Sequence, residues 1–322
     1  MPVSRLRAVC WLLQLERPLW STPEFVRNRS GCVSRQSHRA NVNCGMQPRS
    51  PSQIHRELPW RRRERERLTR LRVSADSLGH LLCGQVCDEG IAKLALAQLN
   101  MTVKTFGSKV VGYLNGAHPE DLVSFGPFCA RVVLENGCAA LVARIDPFRI
   151  LYLTEFQAQK EYVLDKRAKT AFSWAGDVIP DSKSTNLLDI DHDLPKISRA
   201  LFSNHMDHLY WKPAIENAVD FISSYPPEPF LTDILSADPE KFIASSRGSS
   251  SQLYSTLSKG VHWEFFNSLL SLDELTVKLT IKEACVTMAK LGLISHFIPT
   301  AYACLEKKRA VEAYIEFRRV IS

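Results

Sequence analysis

Phe128-Cys129-Ala130-Arg131-Val132-Val133-Leu134-Glu135-Asn136-Gly137-Cys138-Ala139-Ala140-Leu141-Val142-Ala143-Arg144-Ile145-Asp146-Pro147-Phe148 is the stretch whose reading decides the fold. Its apolar residues, among them Val132, Leu134, Leu141 and Val142, follow helical spacing, with no strand-type alternation. The run Cys138 to Ala143 is apolar throughout, yet far short of the roughly 18 residues that a membrane-spanning helix needs. Asp146-Pro147 then restarts the pattern, because Asp caps free amides and Pro tolerates the first helical position. Phe148, Leu151, Tyr152, Phe156 and Tyr162 predict a second long helix reaching about Lys169.

The same signals extend in both directions. Ile91, Leu94, Ala95 and Leu99 mark one helical face, and Val103, Phe106, Val110 and Tyr113 continue to a stop at Asn115-Gly116. Pro119 with Glu120 and Asp121 reads as a helix start, and Gly126-Pro127 as a break before Phe128. Pro195 and Pro213 open further helices, and Tyr225-Pro226-Pro227-Glu228-Pro229 ends one. Asp238-Pro239 repeats the start signal, Arg247-Gly248-Ser249-Ser250-Ser251 reads as a flexible joint, and Ser271-Leu272-Asp273-Glu274 has capping-box spacing. A helix from Ala301 to Val320 closes the chain. No repeat is visible. The expectation is an all-α protein, a multi-helix bundle of roughly seven to nine helices packed face to face.

Charge divides the chain. Residues 1–75 hold sixteen arginines against five glutamates, with no Lys and no Asp, a net charge of +11. Residues 76–322 hold twenty-five basic against twenty-nine acidic residues, a net charge of −4, so the overall +7 describes neither part. The first part reads as a disordered Arg-rich arm and the second as the helical bundle domain. Three readings of the arm stay open: an organelle transit peptide, a basic arm for nucleic acid carried by Trp60 to Arg63 and Arg65 to Arg72, or an over-long gene model whose true start is Met46 or Met101. The expected compartment is the cytoplasm, or the mitochondrion if the arm is a transit peptide.

Nine cysteines without a regular framework fit a reducing compartment. His80, Cys83 and Cys87 have a spacing that suits zinc, but a fourth ligand is missing and Leu81, Leu82 and Val86 read as a buried face. Cys129, Cys138, Cys285 and Cys304 read as core. Asp189, Asp191, His192 and Asp193 read as solvated turn residues. No cofactor and no metal is implied, since phosphate loops, dinucleotide fingerprints, H-E-x-x-H, G-x-S-x-G and paired C-x-x-C are all absent.

The chemically suggestive segment is Tyr254-Ser255-Thr256-Leu257-Ser258-Lys259-Gly260-Val261-His262-Trp263-Glu264-Phe265-Phe266. On a helix, Tyr254, Leu257, Ser258 and His262 share a stripe, with Ser258 one turn from His262. The pattern resembles a late helix of the HEPN helical-bundle superfamily found among prokaryotic defence proteins, the resemblance centring on residues 239–270. The resemblance implies that His262 serves as general acid or base in metal-independent RNA cleavage, with Ser258 and Tyr254 beside it, and that an Arg four to six residues earlier stabilises the phosphate. Thr256 and Leu257 stand in that window, so the arginine has to come from another helix, with Arg144, Arg149 and Arg199 as candidates. Non-catalytic members of that superfamily match the missing arginine better. The leading expectation is a non-catalytic helical interaction module of a bacterial-type defence or regulatory system, with a protein partner or a second copy of the chain. The alternative is the ribonuclease using His262, with RNA as partner. No membrane is expected.

Overall fold

The computed structural model describes residue 69 and residues 75–85, 93–163, 171–181, 187–188, 197–261 and 273–322. Among the described residues every regular element is helical, with a single isolated bridge between Ala175 and Ile179. We number the helices α1 (75–83), α2 (Lys93–Leu114), α3 (Pro119–Ile145), α4 (Pro147–Gln157), α5 (Lys212–Ser223), α6 (Thr232–Leu235), α7 (Phe242–Val261), α8 (Glu274–Ser295) and α9 (Lys307–Val320). No described helix is long and apolar enough to cross a membrane.

α3 is the axis of the bundle because its second half is apolar on every side: all residues from Gly137 to Ile145 are buried. A helix hydrophobic all round has to be surrounded, and α2, α7 and α8 pack around it. α8 is similarly sealed from Leu291 to Ser295. Each such Leu, Ile or Val contributes roughly 1.5–3 kcal/mol on burial. Trp211 anchors the segment entering α5, its ring wholly buried and its indole N–H donating to the Leu201 carbonyl at 3.0 Å.

Several sequence signals resolve differently. Gly126-Pro127 does not break the helix; α3 runs through it, and both residues are buried. Gly126 lies against α8, with Val277 Cγ1 3.5 Å and Ile281 Cδ1 3.8 Å from where a Cβ would stand. This packing on α8 and on Ile281 outweighs the one hydrogen bond that Pro127 cannot donate. Arg247 to Ser251 is no joint either, being internal to α7. α4 stops at Gln157, well before Lys169, and α9 starts at Lys307, not Ala301. The cap of α8 is Asp273, which accepts from the Thr276 amide at 2.8 Å; Ser271 lies outside the described residues. The stop after α2 is as expected, with Gly116 at φ +75°.

Cys83, Cys129, Cys138 and Cys285 are buried in the core. Burial pushes the thiols of Cys83 and Cys285 up to about 12 and that of Cys129 to about 11, which keeps them protonated. Cys304 departs from the expected core role: it is only half-buried and belongs to the polar cluster around Arg144. Cys87, Asp189, Asp191, His192 and Asp193 lie outside the described residues.

Candidate functional site around Tyr254

The chemically suggestive stripe lies on α7. Leu257 is buried against the core, while Tyr254 and Ser258 are half-buried on the same side of the helix. The Tyr254 ring stacks on Trp174, with centroids 4.4 Å apart and planes 11° from parallel. Trp174 is held there by the chain that follows it. Gly176 turns with φ +90°, and the buried Asp177 carboxylate accepts from the Ser173 amide at 2.7 Å and pairs with Arg149.

The third member of the site is Arg131 of α3, whose guanidinium lies 4.7 Å from the Tyr254 centroid. Its Nη2 donates to the Tyr254 hydroxyl at 3.0 Å, and its Nε to Glu135 at 3.0 Å. Its Nη1 is buried and has no hydrogen-bond partner. Such a cation–aromatic contact contributes roughly 0.5–2 kcal/mol. The Arg131–Glu135 spacing is legible in the sequence as an i,i+4 pair. The tyrosine is not, because 123 residues separate it from Arg131.

The Ser258 hydroxyl donates back to the Tyr254 carbonyl at 2.5 Å, one turn earlier, so its proton is committed within α7. His262 lies outside the described residues. None of the three arginines singled out from the sequence joins Tyr254. Arg149 holds Asp177, Arg199 reaches Asp146 at 2.5 Å, and Arg144 is sealed elsewhere.

Arg144 closes α3 and is wholly buried. Its Nε donates to the Tyr302 carbonyl at 3.0 Å, and its Nη1 to the Leu81 carbonyl at 3.3 Å and the Ser295 hydroxyl at 2.6 Å. Nη2 lies 3.0 Å from His296 Nδ1 and 3.4 Å from Cys304 Sγ. The Leu305 amide also donates to His296 Nδ1, at 3.1 Å, so that nitrogen is an acceptor and the proton sits on Nε2, donated to the Leu81 carbonyl at 3.0 Å. Burial, with the neighbouring Arg144 charge, holds the His296 imidazole well below its ordinary pKa, so it stays neutral. The geometry is that of a structural pin: every polar group faces the fold. Gly84 completes it at φ +71°, where a Cβ would stand 1.9 Å from the Ala303 carbonyl oxygen.

A different surface is open. α4 buries only Ile150. Phe148 and Tyr152, one turn apart, are 67% and 58% exposed and stacked with centroids 6.4 Å apart. Phe156 continues the row at 6.1 Å from Tyr152, and Tyr162 meets Phe156 edge-on at 6.1 Å. The group of His118, Glu120 and the half-buried Asp121 sits at the start of α3, where acidic residues suit the helix dipole.

Comparison of the chain with protein families, with curated proteins and with solved structures finds no match.

Proposed function

We propose that this chain is a non-catalytic helical interaction module of a defence or regulatory system, and that it self-associates through the aromatic row of α4. The observation that carries this reading is the exposure of Phe148 and Tyr152 on a helix whose one fully buried residue is Ile150, with Leu151 and Leu153 partly buried against the core. Exposed aromatics lined up along one helix face are unusual on a monomer and typical of contact surfaces. A second copy is the occupant that such a row suits, because two-fold pairing lays the row against its own copy, ring i of one meeting ring j of the other and ring j meeting ring i. The internal use of the Tyr254 and Ser258 hydroxyls further favours a module over an enzyme. Tyr152→Glu should convert a dimer into a monomer in sedimentation equilibrium while leaving the helical circular dichroism intact. A wild-type chain that is monomeric at tens of micromolar, a range in which about −6 kcal/mol of association would already register, sinks the reading.

One observation favours the ribonuclease as a second reading: Arg131 arrives from α3 beside the stripe, with Nη1 unpartnered. RNA cleavage in chelator that His262→Ala abolishes, at unchanged stability, would replace the module with the enzyme.

A further inference from the structure

Between α6, α7 and α8 lies a cleft of 290 Å³ whose wall is dominated by hydrogen-bond donors. α7 contributes Ser245, Ser246 and Ser249, α8 contributes Thr287 and Lys290, and Lys241 stands just before α7. Helical hydroxyls ordinarily donate to the carbonyl one turn earlier. Ser108, Thr154, Ser258 and Thr280 do so in this chain. The four hydroxyls of the cleft do not, and among the described residues nothing takes up their protons.

The acidic groups of the cleft are already occupied. Asp233 accepts from Lys290 at 2.8 Å and from Arg318 at 2.7 Å, with the Tyr314 hydroxyl at 3.3 Å. Burial alone would raise its pKa, but the hydrogen bonds from Lys290 and Arg318 outweigh this and hold it below the usual carboxylate range. Asp238 accepts from the Glu240 amide at 3.0 Å and pairs with Lys241 at 3.1 Å. Each lysine therefore spends one N–H on a carboxylate and keeps two. With Arg318, which pairs with Asp233 from outside the lining, three cations stand against the two carboxylates of Asp233 and Asp238.

We infer that this cleft binds a small phosphate monoester, its phosphoryl oxygens taken by Lys290, Thr287 and the serines of α7. A tetrahedral oxyanion supplies several strong acceptors to convergent donors, which is what the wall lacks. The volume stands at the lower edge of ordinary ligand sites, so the organic part is about the size of a sugar and would lie against Phe242. A carboxylate ligand shares the negative charge but offers fewer acceptors, and the test separates the two.

The probes are ribose 5-phosphate, inorganic phosphate, ribose and acetate, titrated into the full chain by calorimetry at constant ionic strength. Ribose 5-phosphate should bind, inorganic phosphate more weakly, and ribose and acetate not at all. Thr287→Val preserves shape and removes one donor to a charged acceptor, and should weaken binding about tenfold or more. Ser246→Ala should weaken it by less, and Met101→Ala, exposed on α2 and outside the cleft lining, should leave it unchanged. Absence of binding by both phosphate probes overturns the inference. So does equal binding by acetate, or binding that Thr287→Val and Ser246→Ala leave untouched.

Discussion

Arg144 and Asp233 are both charged side chains at junctions of helices, and the fold neutralises them by opposite means. Asp233 is held by two full charges, Lys290 at 2.8 Å and Arg318 at 2.7 Å, with the neutral Tyr314 hydroxyl within 3.4 Å, and its side chain stays 31% exposed. Arg144 has no carboxylate within reach among the described residues. Its partners are carbonyls, a hydroxyl, a thiol and an imidazole, and its side chain is fully buried. What balances it is helix geometry. Leu81 and Leu82 are in the last turn of α1, Ser295 ends α8, and Arg144 itself is in the last turn of α3. Three helix C-termini, each equivalent to about half a negative charge, converge on one guanidinium. A cation fixed by dipoles is insulated from solvent and salt, whereas one fixed by half-exposed ions is not.

The comparison breaks most sharply at Arg144→Met. Removing the guanidinium leaves the Tyr302 carbonyl and the Ser295 hydroxyl without that donor inside the fold, and takes one of two donors from the Leu81 carbonyl and from His296 Nδ1. The expected loss is about 3–5 kcal/mol in urea unfolding, a large share of a typical domain's stability. Arg144→Lys should recover little, because one ammonium cannot span partners spread over α1, α8 and the chain from Ala301 to Leu305. A loss below about 1 kcal/mol would show that the pin is ornamental.

An intermediate effect comes through pH. His296 is neutral in the fold and its pKa is depressed by burial and by Arg144, so the folded state takes up a proton less readily than the unfolded chain. This contribution is complete above the unfolded value of about 6.5 and is lost as pH falls below it, at up to about 1.4 kcal/mol per pH unit. His80, lowered chiefly by burial, acts in the same direction. Asp207, raised by burial to about 6, acts oppositely, since the folded state then holds its proton more tightly. The clean reading is therefore the difference between wild type and His296→Asn, whose amide oxygen replaces the Nδ1 acceptor. That difference should narrow as pH falls from about 7 to 5.5; a constant difference would mean that His296 does not titrate differently on unfolding.

The smallest effect is expected at the ion-paired cluster. Asp233→Asn should cost about 1 kcal/mol or less, because all three groups keep some access to water. About 1 M salt should erase most of that cost, at a screening length near 3 Å, while leaving the Arg144→Met deficit intact. Equal salt sensitivity of the two variants would remove the distinction between dipole and ion neutralisation.

How far the sequence reveals these regions depends on range. Pro119 as a start, Gly116 as a stop and the apolar run of α3 are local matters of spacing and backbone freedom, and they read correctly. Gly126-Pro127 misleads because its local cost is met by α8, which is some 150 residues away in sequence. Ala301 to Glu306 reads as helix from its neighbours, but the backbone there turns, with Ala303 at φ +56°, to bring the Tyr302 carbonyl to Arg144. The candidate site divides the same way. The Tyr254–Ser258 stripe follows from helical spacing, whereas Arg131 and Trp174 reach it only through tertiary packing.

The Arg144 pin also has a temporal side. Its partners Leu81 and Ser295 lie 63 and 151 residues from it along the chain. During synthesis the arginine emerges early, and Ser295, His296 and Tyr302 follow only after about 8–30 seconds at ordinary elongation rates. Through that interval the all-apolar half of α3 has neither α8 to cover it nor a completed cage at its end. The nascent chain must therefore wait with its most hydrophobic helix unsealed, and this interval is where chaperone dependence and aggregation of the protein should concentrate.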